Sequence, residues 1–190
     1  MSRNCLSAVA AVLAVSACDA PNAPTGAPQF QSGAAAVGHV AGDGLFNIGA
    51  PGADVAFEFN VVLRANGSAS GSTDYFTDLT AFGLGIIAIR FDVTCASIDP
   101  VLGRAWIGGV VTENNSTNQT FVTDPVRQPG SDVWFRIEDN GNGGSGPLDR
   151  STQLGFEGGG GIITSAEYCA TRIWPAAPPH PVTSGNISLR

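Results

Sequence analysis

The run Glu138-Asp139-Asn140-Gly141-Asn142-Gly143, closed by Asp149, sets carboxylate and amide oxygens around a string of glycines. That is the residue chemistry of a hard cation site, because calcium takes about six to eight oxygen ligands. Counted from Glu138, the residues Glu138, Asn140, Asn142 and Asp149 fall at positions 1, 3, 5 and 12 of a calcium loop, with Gly143 at the sharp turn in position 6. The spacing fits and the chemistry fits less well. The acid types at the first and last positions are exchanged, and the flanking segments, "DVWFRI" and "STQLGF", alternate like strands rather than helices. Two expectations follow. One is a weak calcium site made by Glu138, Asp139, Asn140, Asn142, Asp149 and backbone carbonyls. The other, which the residue chemistry favours, is a long turn between two strands with Asp139 and Asp149 facing each other across its neck.

Other reactive side chains form no catalytic constellation, and no catalytic residue is expected. The mature chain holds two histidines, His39 and His180, far apart and outside any HExxH spacing. "GSASG" places Ala69 where a nucleophile elbow needs Ser, and "EGGGGII" lacks the Lys of a phosphate loop. Asp74 and Asp78, four apart in "STDYFTDL", read as an exposed strand end. Trp106 and Trp134 are out of phase with their aliphatic neighbours, which puts both on an outer face where indole rings can stack on sugars; Trp174 is a third. The expectation is a non-enzymatic binding or scaffold domain, with a carbohydrate-binding or carbohydrate-active module as the alternative.

Charge narrows the partners. Sixteen acids oppose nine bases, for a net charge of −7, and every base is Arg. Such a surface repels phosphate backbones, so no nucleic-acid partner is expected.

The N-terminus carries the most specific signal. "MSRNCLSAVAAVLAVSACDA" opens with Arg3, turns apolar from Leu6 to Val15 and ends in small residues, the plan of an export signal and too short for a membrane span. Val15-Ser16-Ala17-Cys18 resembles the lipobox of bacterial lipoproteins. The resemblance implies cleavage after residue 17, acylation of Cys18, and anchoring to an inner or outer bacterial membrane. Residues 18–35, rich in Pro, Ala and Gln, then read as a lipidated tether. With Cys5 lost and Cys18 acylated, Cys95 and Cys169 are left as an even pair in an oxidising compartment, and a disulfide is expected.

From residue 36 to 190 a two-residue period dominates, and a single β domain is expected. Val55, Phe57, Phe59, Val61 and Leu63 share one face, as do Ile87, Ile89, Phe91, Val93 and Cys95, which points Cys95 inward. Val133, Phe135 and Ile137 face inward on a further strand, and "STQLGFE" and "EYCATRIW" read as two more. Strands are also expected near 37–48, 68–77, 104–112 and 184–190. Asn66-Gly67 supplies a hairpin turn, and the polar stretch 112–132, with sequons at Asn114, Asn115 and Asn118, reads as a mobile loop. The fold class is all-β: an antiparallel β-sandwich or a small closed β-barrel of about 8–10 strands with one disulfide. The order "IRFDVTCASIDPVLGRAWIGGVV", "VWFRIEDNGNGGSGPLDR" and a terminal "SGNISLR" resembles the domain that follows choice-of-anchor modules in secreted bacterial proteins. That family has no assigned activity, so the resemblance implies a fold and no chemistry.

Overall fold

Alternation on β2 (Asp54–Arg64) buries Val55, Phe57, Phe59 and Val61 on one side and leaves Glu58 and Asn60 in water. The same period shapes β1 (Ala36–Asn47), β3 (Ala69–Asp78), β4 (Ile86–Asp99), β5 (Arg104–Asn114), β6 (Asp132–Glu138) and β9 (His180–Leu189), while β7 (Arg150–Ser151) and β8 (Gly155–Phe156) are two residues each. The computed structural model describes residues 34–141, 146–158, 161–173 and 179–190. The export signal, Cys18, Asn142 and Trp174 lie outside them. Residues Ala34–Arg190 form one compact unit.

All pairings are antiparallel, in the order β5-β4-β3-β2-β1-β9-β7-β6-β8, and β5 also pairs with β6. The sheet therefore curls round until it nearly closes into a ring, which is the barrel and not the sandwich. The expected Asn66-Gly67 hairpin is present: Gly67 has φ 82°, and the Asn66 side chain accepts the Ser68 amide at 3.0 Å.

Side chains fill the ring. Phe59 and Phe91 both meet the ring of Phe135 edge-on, at 5.2 and 6.0 Å, and Phe46 joins Phe57 to a stacked His180. Val40, Val61, Ile107, Ile137 and Ile187 pack around these aromatics with almost no exposure.

Closure is thinnest between β9 and β6, where only Arg150 and Ser151 of β7 bridge the gap. Beyond β7, the free edge of β9 is met by side chains. The Ile187 amide donates to Asp149 Oδ2 and the Leu189 amide to Asp139 Oδ2, both at 2.8 Å. Asp149 Oδ1 accepts the Asn140 amide at 2.9 Å, and the Asp149 carbonyl accepts Val182 at 2.8 Å. Two carboxylates thus stand where a neighbouring strand would place carbonyls.

Four expectations are corrected. Cys95 does not face the interior: the register slips between Val93 and Cys95, after which Ala96 and Ile98 pack on the core and Cys95 turns outward. "EYCATRIW" is not a strand but contains a helix, α2 (Ser165–Thr171), capped by the Thr164 hydroxyl on the Glu167 amide. "STQLGFE" is two short pairings rather than one strand, with Ser151 and Phe156 buried. The 112–132 stretch is pinned rather than loose. It holds a helix, α1 (Gln119–Thr123), whose cap Asn118 accepts two amides and donates to Leu84, while Asn114 Nδ2 donates to the carbonyls of Phe121 and Arg127. The disulfide between Cys95 and Cys169 is present, and it ties α2 to β4 across 74 positions.

The seam sets a stability test. Asp149→Ala strands the Ile187 and Asn140 amides, and a lost acceptor costs about 1–3 kcal/mol per buried donor. Urea unfolding is expected to show a loss of that order for Asp149→Ala and a smaller one for Asp149→Asn, which keeps an oxygen toward one of the two amides.

Candidate functional site

A surface row, not the turn, lines a groove open to a ligand. Register brings outward residues of five strands into line: Asp43 on β1 opposes Glu58, Glu58 opposes Asp74, Asp74 opposes Arg90, and Arg90 opposes Glu113. With strands about 4.8 Å apart, the row runs roughly 19 Å across the wall. It lines a groove of about 540 Å³ whose floor includes the exposed side chains of Leu45 and Phe76. That size suits a small ligand or a short peptide segment.

The electrostatics are unusual. Three carboxylates in succession, Asp43, Glu58 and Asp74, face one another across adjacent strands, and like charges so placed destabilise a sheet. Among the described residues, only Asp74 of the three has an ion-pair partner, Arg90 Nε at 3.8 Å, and both side chains are half exposed. Sequence reasoning located Glu58 and Arg90 on outer faces and noted Asp74, but not their alignment, because register between strands is absent from one-dimensional spacing.

The calcium candidates resolve differently. Glu138 pairs with Arg104 at 3.3 Å, Asp139 holds the Gly141 and Leu189 amides, and Asp149, only 8 % exposed, holds Asn140 and Ile187. Asn140 Nδ2 donates to the Leu148 carbonyl at 2.7 Å. The Asp139 and Asp149 oxygens thus accept backbone amides, and Glu138 Oε1 faces a guanidinium. Asp149 does reach across the neck, to the residue beside Asp139. Among the described residues no group of three or more His, Cys, Asp or Glu is arranged to hold a metal ion.

Trp106 and Trp134 lie on the outer face, as their phase implies, but α2 covers them. They are 4 % and 5 % exposed. Trp134 stacks on Tyr168 at 5.5 Å, and Trp106 Nε1 and Arg136 Nη1 both donate to the Ile173 carbonyl. Gly108 permits the close fit, since a Cβ there would meet Ser165 Cβ at 2.8 Å and Cys95 Sγ at 2.9 Å. Ser165 donates to Asp132 through its amide and its hydroxyl. Neither indole offers an open face to a sugar ring. The helix was missed because seven residues carry too little periodicity, although its Thr164-x-x-Glu167 start is a capping signature.

His39 bonds Asn60 across β1 and β2 while His180 stacks inside on Phe46, so the histidines do not converge. Asp78 caps the following turn through the Thr80 hydroxyl and amide, which hold its carboxyl below the usual range.

No protein-family model, no curated protein and no solved structure matches this chain. The groove must be read from its own residues.

Calcium titration is expected to leave the melting temperature unchanged, because the turn's carboxylates are already engaged; a rise of several degrees under saturating calcium contradicts that assignment. The two tyrosines give a pH test. Burial pushes the Tyr168 phenol up to about 12, against the opposing effect of the Arg136 charge and hydrogen bond, and burial pushes Tyr75 higher still. Unfolded tyrosines ionise near pH 10. The raised folded values therefore contribute stability that is complete below about pH 10 and lost as pH rises through about 12. With only two tyrosines in the chain, phenolate absorbance is expected to appear well above pH 10 and together with loss of the β circular dichroism signal.

Proposed function

We propose that this chain is an exported, lipid-anchored, non-enzymatic binding domain whose outer groove takes a cationic segment of another polypeptide. The anchor reading rests on the lipobox resemblance at Cys18. The observation that supports the groove is the unbroken register of Asp43, Glu58 and Asp74. A fold under selection for stability alone does not stack three like charges on adjacent strands, and such local violations concentrate where binding needs them. An arriving Arg or Lys side chain relieves that repulsion, and Leu45 and Phe76 on the floor give an aliphatic or aromatic residue between the charges a surface to cover.

Arg90 and Glu113 set direction. With a guanidinium fourth in the row and a carboxylate fifth, a bound segment places its positive groups over β1 to β3 and turns a neutral or acidic position toward β4. A simple polyamine satisfies the charges but not the apolar floor.

The proposal separates stability from binding. Glu58→Gln is expected to raise thermal stability slightly, by the roughly 0.2–1 kcal/mol that a like-charge cross-strand pair costs. It is also expected to weaken binding of a fluorescent Arg-Leu-Arg-Leu-Arg peptide in anisotropy titrations, with the affinity falling further as salt is raised. Phe76→Ser should weaken the same peptide while leaving spermine unaffected. Equal binding by wild type and Glu58→Gln, or equal binding of a Glu-Leu-Glu-Leu-Glu peptide, defeats the proposal.

A further inference from the structure

Both rims of the ring carry exposed apolar side chains, Phe82 and Leu84 among them at the far one, and what distinguishes them is where the chain enters. Antiparallel register places the start of β1, where the chain joins the domain at Ala34–Ala36, at the same rim as the β4–β5 turn, the turn after β6 and the end of β9. At the tip of the β4–β5 turn Val101 is 91 % exposed and Leu102 54 % exposed, and Leu148 and Val37 are exposed at the same rim. Isolated surface aliphatics are ordinary. Two side by side at a hairpin tip are not, because turns favour Gly, Pro, Asn, Asp and Ser.

The tip is also prepared to leave water. Asp99 Oδ1 accepts the amides of Val101 and Leu102 at 3.1 and 3.0 Å, and the Gly103 carbonyl accepts the Asp139 amide at 2.7 Å. Backbone groups bonded in this way enter an apolar layer at less cost than free ones. The acids of this rim are all engaged: Asp99 with its own turn, Glu138 with Arg104, Asp139 and Asp149 with β9. The open carboxylates Asp43, Glu58 and Asp74 lie on the wall instead.

We propose that the rim around Val101 and Leu102 rests in the interfacial layer of the bilayer that holds the chain, with these two aliphatic side chains and Leu148 as the lipid-contacting groups. This rests on the lipid-anchor reading. The described chain begins at Ala34 on that rim, and if residues 19–35 act as the flexible tether of the anchor reading, their root-mean-square reach would be on the order of 20 Å, within range of the surface to which Cys18 would be fixed.

The test uses the full mature protein in phosphatidylcholine vesicles. Leu102→Trp places a reporter at the tip, and Phe82→Trp places one on the turn between β3 and β4 at the opposite rim; wild-type emission is subtracted. Lipids brominated near the headgroup end of the acyl chain are expected to quench Leu102→Trp several-fold more than Phe82→Trp. Acylation is read separately from the mass of the mature chain. Acylated protein with equal quenching at both positions overturns the rim proposal and leaves the anchor intact. An unacylated mass overturns the anchor, and the rim proposal then survives only if Leu102→Trp is still quenched by added vesicles. A concentration-dependent blue shift of Leu102→Trp without vesicles identifies a second copy as the occupant and overturns the lipid assignment.

Discussion

A curled antiparallel sheet must do something with its last free edge, and here the solution is two carboxylates. Asp139 and Asp149 accept the outward amides of Leu189 and Ile187, completing a boundary that the two-residue β7 covers only at its other end. Hydrogen bonds to ionised acceptors are stronger than neutral ones, so two side chains substitute for several rungs of a ladder. Gly141, at φ 91°, turns the chain away directly after Asn140. Without that edge bonded, β9 holds only to β1 along most of its length, and the aromatic interior of Phe46, Phe59, Phe91 and Phe135 loses the wall that keeps water out.

A second constraint acts on the far side of the ring. The slip between Val93 and Cys95 exchanges the faces of β4 partway along, so one strand serves the interior with Ile87 to Val93 and the exterior with Cys95. Beside the outward Cys95, Trp106, Trp134, Ile162 and Tyr168 form a small outer core beneath α2. Each device has the same logic: a local departure from regular pleating is fixed by one strong connection, a carboxylate pair at the seam and a disulfide at the bulge.

The period of two made the interior legible. Phe57, Phe59, Phe91, Phe135 and Ile137 are where alternation puts them, and the ends of β1, β2, β3, β5 and β6 fall within a few residues of the sequence reading. The bulge was not legible, since one extra residue leaves no compositional mark and reverses every side chain after it. The short helix escaped for lack of length, and the 112–132 stretch misled because asparagines that look like solvated loop are caps bonded to nearby carbonyls and amides. The groove was invisible for a different reason. Asp43, Glu58, Asp74, Arg90 and Glu113 are ordinary outward residues one at a time, and only the alignment of five strands makes them a candidate site.

The position of β9 also fixes an order of events. Thr183 bonds the Leu45 carbonyl across 138 positions, and β1 has no partner on that side until the last ten residues of the domain are in place. Folds with such distant pairings close slowly. Until β9 arrives, β1 to β6 form an open, curled ribbon with two unsatisfied edges. For a chain made from its N-terminus, the pairing that seals the domain is therefore the last one available, and the interior stays open to water until then.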